Sequence, residues 1–279
     1  MMMNYARNQG VDLLEALIQN IGPIFTFDQA FQEGSKQGLS RQGVRNLLNR
    51  LEQSNWLARL KRGLYTIVSP IFDVKIHPFA VAQALINPMA ISHWSALAHH
   101  GFTTQIPPMV QASTPTKVVT PEMRSGGAYR PRGRSVWRVL EFEIEYISLT
   151  QDKFWGFTQE WVSDWHRVNI TDRERTMLDL IARSDIFGGI SMAIETLHTN
   201  AASIDFPKLV DYAIRYDVGS VIKRLGWIMA LIPVPNEILE PLLAYEVQNY
   251  YLLDPQGQDE GEIDSRWKLH INLTGVNRA

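Results

Sequence analysis

LSRQGVRNLLNRLEQSNWLARLKRGLYTIV, residues 39 to 68, decides how the fold is read. Ser40 is placed to cap a helix in which Val44, Leu47, Leu48 and Leu51 recur at i, i+3, i+4 and i+7, the spacing of a single apolar stripe. At about 100° per residue, Arg41, Arg45 and Asn49 fall in one narrow sector with Gln42 beside them, well away from the leucines. The helix therefore has one apolar face and one basic, amide-rich face. NWLARLKRGLYTIV then reads as two short strands around a basic turn, with Arg59, Lys61 and Arg62 clustered and Leu64, Tyr65 and Ile67 resuming the core.

Working backwards, VDLLEALIQNIG has Leu13, Leu14, Leu17, Ile18 and Ile21 at helical spacing and stops at Gly22-Pro23. A short second helix is expected after Thr26 as N-cap, ending near the glycines at 34 and 38. Three helices and a basic hairpin make a winged helix-turn-helix, assigned to residues 1–72. A helix fits the major groove, Arg, Asn and Gln can bond purine edges bidentately, and wing cations neutralise phosphates. Ser40, Arg41, Gln42, Arg45, Asn49, Arg59, Lys61 and Arg62 are the candidate DNA-contacting residues. The local balance agrees: Arg7, Lys36, Arg41, Arg45, Arg50, Arg59, Lys61 and Arg62 face only Asp12, Glu15, Asp28, Glu33 and Glu52. The competing readings are an ordinary solvated helix face and a winged helix used for protein interaction.

The chain as a whole has 279 residues, 45% hydrophobic and 20% charged, with a formal net charge of -2. Those values describe an ordinary globular chain and argue against a nucleic-acid coat over the entire surface. Zero cysteines exclude disulfides, thiolate nucleophiles and cysteine-ligated metals, and fit a reducing interior. MMMNYARNQG lacks the apolar segment of a signal peptide, and the run around LGWIMALI is too short to span a bilayer, so the cytoplasm is the expected location.

Residues 73–279 are read as a larger α+β domain. SHWSALAHHG, residues 92–101, holds three of the 7 histidines on a short helix capped by Ser92. His93 and His100 lie about 10 Å apart along the axis at 1.5 Å per residue, so they cannot share one metal ion, and no HExxH spacing or nearby carboxylate helps. The expected stripe is Trp94, Leu97 and Ala98, with the histidines packed or hydrogen-bonded at its margins. Arg124, Arg130, Arg132, Arg134 and Arg138 lie in a Gly- and Pro-containing stretch that reads as a basic loop or hairpin, either solvated or touching nucleic acid. RVLEFEIEYISLT alternates as a strand.

ITDRERTMLDLIARSD opens with Thr171 as N-cap and Glu174 completing a capping box, with Arg175 and Asp179 spaced for an i, i+4 ion pair. Glu174 and Asp179 sit five apart on different sides of that helix, so a carboxylate metal site is not supported. FGGI is a helix-connecting turn. Asp205 and Pro207 start another helix, Lys223 and Arg224 read as an exposed basic pair on VIKRLGWIMALI, and DPQGQDEGEID reads as a solvated loop before strand-like RWKLHINL.

The ordered set LKRGLYTI, HPFAVAQALINPMAISHWSALAHHGFTTQIP, ITDRERTMLDLIARSDIFGGI, VIKRLGWIMALI and RWKLHIN resembles the AbiEi antitoxins of type IV toxin–antitoxin and abortive-infection systems, over most of the chain from about residue 10. Ala230, where that family carries a glutamate, and the arginine-rich stretch near 124–138 depart from its pattern. The resemblance implies a non-enzymatic antitoxin and autorepressor that needs no cofactor or metal. Its implied partners are inverted repeats in its own promoter, often bound cooperatively, and a co-encoded nucleotidyltransferase toxin with which it need not form a stable complex. The alternatives are a ligand-responsive winged-helix regulator unrelated to toxins and a DNA-targeted nuclease. The nuclease would need convergent acidic or histidine ligands, which no segment offers at recognisable spacing.

Overall fold

A computed structural model describes residues 2–127 and 133–273, with side chains described from residue 9 onward; Arg7, Arg130 and Arg132 lie outside the described side chains. In chain order the elements are α1 (Met2–Asn20), β1 (Ile24–Thr26), α2 (Phe27–Lys36), α3 (Arg41–Gln53), β2 (Leu57–Lys61), β3 (Leu64–Ile67), α4 (Pro78–Leu85), β4 (Ala90–Ile91), α5 (His93–His99), β5 (Val110–Thr114), α6 (Pro121–Arg124), β6 (Ser135–Val139), β7 (Phe142–Ser148), β8 (Phe157–Trp161) and β9 (Arg167–Thr171). They continue with α7 (Arg173–Ala182), α8 (Ser184–Phe187), α9 (Ile190–Thr199), α10 (Phe206–Tyr216), α11 (Gly219–Met229), α12 (Asn236–Ala244), β10 (Tyr251–Leu252), β11 (Glu262–Asp264) and β12 (Leu269–Ile271). An N-terminal helical region is thus followed by a larger α+β region. Two compact units result: Met1–Ala90, Thr114–Ser148 and Gln159–Asn169 form the first, and Ile91–Ser113, Leu149–Thr158 and Ile170–Ala279 the second.

In the first unit, α1, α2 and α3 pack on a three-stranded antiparallel sheet of order β1-β3-β2, the arrangement of a winged helix-turn-helix. Leu13, Leu14 and Leu17 of α1 meet Val44, Leu47, Leu48 and Leu51 of α3, with Phe25, Leu57, Tyr65 and Ile67 closing the core from the sheet. α1 begins nine residues before the apolar pattern does, so the polar segment preceding Val11 simply extends the helix. At Gly34 a Cβ would stand 2.6 Å from Val44 Cγ2, so this position admits the close approach of α2 to α3 only as glycine. The same unit holds the β6–β7 hairpin, in which Arg138 pairs with Glu143 at 2.9 Å and nearly buried Arg134 with Glu145 at 3.1 Å. Those two members of the basic stretch are thus committed to structural ion pairs.

In the second unit, β4 pairs with β9 in parallel through Ile91 and Ile170, and β10-β12-β11 form a small sheet. Arg175 on α7 is fully buried in this unit, pairing Nε with Asp179 Oδ1 at 2.9 Å as its i, i+4 spacing predicts. Its Nη1 donates to the carbonyls of Lys153 and Trp155, and the guanidinium lies 4.5 Å from the Trp155 ring centre. Glu174 is turned elsewhere, to Lys208 Nζ at 2.8 Å and the Asp205 amide at 3.1 Å. The two carboxylates are therefore structural and separate.

Four local expectations need correction. The cap of α7 is Asp172, whose side chain accepts from the Arg175 amide at 2.8 Å; Thr171 ends β9 and bonds Thr176 Oγ1 instead, so the helix starts one residue later than the capping-box reading. Ser92 precedes α5 but gives it no side-chain cap, because its hydroxyl is drawn into bonds with Ser113 Oγ and His93 Nδ1, both at 2.8 Å. His93 is buried and stacked on Phe187 at 5.8 Å rather than placed at a margin, while Trp94 and Ala98 are only half-buried. Lys223 and Arg224 are buried, not an exposed pair: Lys223 Nζ donates to the Leu242 and Leu243 carbonyls at 3.0 Å each, and Arg224 Nε to the Leu252 carbonyl at 3.0 Å.

The glycine of that KRLG segment has a packing reason. At Gly226 a Cβ would stand 2.0 Å from Trp267 Cζ3, and Trp267 is itself buried to 2% exposure. Gly226→Ala should destabilise the protein by about 1–3 kcal/mol through overpacking, read as a lower urea midpoint. A neutral result would show that Trp267 can move aside.

Candidate nucleic-acid interface

The α3 surface follows from its own sequence. Ser40 Oγ accepts from the Gly43 amide at 3.0 Å and fixes where the helix begins; the buried leucine stripe then fixes its rotation. Arg41, Gln42, Arg45 and Asn49 emerge exposed on the opposite side, joined by Asn46 and Arg50. Gln42 ties this face together, donating to Asn46 Oδ1 at 2.8 Å and accepting from Arg45 Nη1 at 3.4 Å.

The helix in front supports the arginines. Thr26 caps α2 as expected, in a capping box with Gln29, and this sets Phe27 and Phe31 one turn apart. The Arg41 guanidinium lies 5.0 Å from the Phe27 ring centre and 5.2 Å from that of Phe31, and Arg45 lies 5.4 Å from Phe27. Arg41 Nη2 also pairs with Asp28 Oδ1 at 2.8 Å. A guanidinium laid on an aromatic face keeps its in-plane N–H donors free to turn outward, so this shelf orients two cations at little cost in hydrogen-bonding capacity. The shelf was not singled out in the sequence; the i, i+4 aromatic pair directly before the basic helix is the signal that would have found it.

The wing residues divide. Arg62 is exposed at the turn. Arg59 is exposed on β2, pairs with Glu52 at 2.8 Å and lies 5.5 Å from the Tyr65 ring centre. Lys61 is turned inward and donates to the Leu85 carbonyl at 2.6 Å, and burial lowers its pKa from the ordinary lysine value. Arg41, Gln42, Arg45 and Asn49 are thus exposed along α3 with Ser40 at its start, Arg59 and Arg62 are exposed on the hairpin, and Lys61 lies apart from them.

Among the described residues no group of three or more histidine or acidic side chains is placed to hold a metal ion. His100 Nε2 meets the Thr171 carbonyl at 2.7 Å and packs 5.3 Å from His99, which are structural contacts. No helix is long and apolar enough to cross a membrane, among the described residues.

Residues 12–68 match the family described as transcriptional regulator, AbiEi antitoxin. Over that stretch the chain is similar to the AbiEi antitoxin regulators. That match covers α1 through β3 and so includes the whole face just described. No curated protein matches the chain in sequence. Among solved structures, the RV2827C protein from Mycobacterium tuberculosis is similar in fold, with a TM-score of 0.65 and 14% identity over 94% of this chain and 90% of that one. At that identity the likeness concerns the fold alone.

The supports under this face differ in strength. Thr26→Ala, which removes the α2 cap, should cost about 1 kcal/mol in urea unfolding. Asp28→Ala breaks an exposed ion pair and should cost less than about 1 kcal/mol. A larger loss for Asp28→Ala than for Thr26→Ala would mean that Asp28, not the cap, is the main support of α2.

Proposed function

We propose that this protein is the antitoxin and transcriptional autorepressor of a type IV toxin–antitoxin operon of the abortive-infection, phage-defence kind, acting in the cytoplasm. Residues 1–72 are the DNA reader and residues 73–279 the part that counters a nucleotidyltransferase toxin, without catalysis and without need of a stable complex with it. The observation that carries the reading is the AbiEi-type winged helix with its exposed face of Arg41, Gln42, Arg45 and Asn49 beside the wing cations.

The chemistry of that face fits an operator. Arg41 and Arg45 have the forked donors that match guanine O6 and N7, Gln42 and Asn49 the paired donor and acceptor that match adenine, and Ser40 sits at the helix start where a phosphate is favoured. Arg59 and Arg62 supply the sequence-independent charge that positions the domain, with Lys61 contributing if it leaves the Leu85 carbonyl. Asp28 holds Arg41 until DNA takes its place, so the ion pair is exchanged rather than lost. Inverted repeats in the promoter would recruit two copies through two such faces.

Binding of the full-length protein to its own upstream DNA, compared with scrambled DNA at two salt concentrations, tests the DNA side. Arg41→Ala and Arg45→Ala should each cost about 1–3 kcal/mol on the upstream DNA and relax discrimination, while Arg62→Ala should mainly reduce the salt slope by about 1. Asp28→Asn, which removes the competing carboxylate, should tighten binding to both DNAs. Uniform loss on both DNAs from every substitution would remove the recognition-helix assignment. Rescue of growth in cells expressing the neighbouring nucleotidyltransferase tests the antitoxin side, and no rescue would overturn it.

A further inference from the structure

The second unit contains a cavity of about 450 Å³ between the middle of α11, the end of α12 with the segment after it, and the turn before β12. Its charged lining is Lys223, Arg266 and Lys268 against the single carboxylate of Glu246, and its remaining wall includes Tyr245 and Val247. The volume lies within the range of small-ligand sites.

Lys223 has a structural reason to be there, since it caps the carbonyls of Leu242 and Leu243 in the last turn of α12. That task uses two of its three N–H donors among the described residues and needs no second cation. Lys268 nevertheless stands near enough to oppose the charge of Lys223, which burial already disfavours; both effects lower the Lys223 pKa. Lys268 also sits at φ +56°, a backbone conformation that an L side chain adopts at a cost, with its ammonium 4.9 Å from the Tyr250 ring centre. Like charges held together by a strained backbone are a cost that folding alone does not require.

We propose that this cavity binds a small phosphate-bearing anion. Three cations and one carboxylate leave a local charge of +2, which matches the roughly -1.5 to -2 carried by a phosphate monoester at neutral pH better than it matches a single carboxylate. The phosphoryl oxygens meet Lys223, Arg266 and Lys268. Val247 and the Tyr245 ring face the rest of the ligand, with the Tyr245 hydroxyl anchored on Asp217 at 2.7 Å. Glu246 is the repulsive element, and it admits a phosphate only with its three cations in place.

The test is calorimetric titration of the full-length protein with adenosine monophosphate, inorganic phosphate and succinate, and of its Arg41→Ala/Arg45→Ala variant, in which the α3 face is disabled, with a 5′-phosphorylated oligonucleotide. Saturable binding of the first two is expected, with succinate weaker by about tenfold or more. Tighter binding of the monophosphate than of inorganic phosphate identifies an organic phosphate, and equal binding identifies the inorganic ion. Arg266→Gln and Lys268→Gln lie on accessible residues and should each weaken binding about three- to tenfold with an unchanged melting temperature. Glu246→Gln should strengthen it, and Arg41→Ala/Arg45→Ala should leave it alone. The proposal is overturned by absence of saturable binding, by wild-type affinity in the Arg266→Gln/Lys268→Gln double variant, by succinate binding as well as phosphate, or by an oligonucleotide binding far more tightly than the monophosphate.

Discussion

Burial of one side of α3 is the constraint on which the N-terminal half of the molecule depends. Val44, Leu47, Leu48 and Leu51 reach full or nearly full burial against α1 and the sheet. Because the helix is a rigid cylinder with 3.6 residues per turn, satisfying that stripe leaves no freedom in where Arg41, Arg45 and Asn49 emerge. The hydrophobic effect thus aims a polar surface that it does not itself contact. Gly34 serves the same constraint from the side, since α2 can bring Phe27 and Phe31 beneath the arginines only by packing closely on Val44.

The second unit is organised by a different device, a buried guanidinium. Arg175 satisfies a carboxylate and two backbone carbonyls and lies against Trp155, with the Tyr216 ring centre 5.6 Å away. Three of its five N–H donors are engaged in these bonds and one of its partners is a carboxylate, which helps to make a buried charge tolerable. Trp155 receives a second guanidinium, Arg215, at 4.3 Å, so its indole is held between helices α7 and α10. Polar satisfaction here does the positioning that leucines do in α3.

Features set by neighbours in sequence were legible: the caps at Thr26, Ser40 and Asp205, the leucine stripe, the alternation of β7 and the Arg175–Asp179 pair all depend on contacts within a few residues, whereas the turn at Leu140 and Glu141, which splits RVLEFEIEYISLT between β6 and β7, was read as continuous strand. Features set by distant groups were not. Lys223 and Arg224 look like solvated residues because their acceptors, the carbonyls of Leu242, Leu243 and Leu252, come from segments some 20 to 30 residues on and belong to backbone, which has no sequence signature. The same holds for Ser92, drawn away from its cap by Ser113, and for Lys61, drawn inward by Leu85. Of the candidate DNA-contacting side chains, those on α3 were legible because a helix that buries one stripe must expose the other; the wing was less so, because residues on a short hairpin can turn to either side.

Trp267 over Gly226 carries a consequence for the order of events during synthesis. The core of the winged helix is built from residues no later than Phe72, so it is available to collapse while the rest of the chain is still being translated. The slot on α11, by contrast, stays empty until residue 267 has left the ribosome. The winged helix can therefore be complete on a nascent chain while α11 still lacks the indole that packs over Gly226, so the last segment synthesised is the one that closes the second unit.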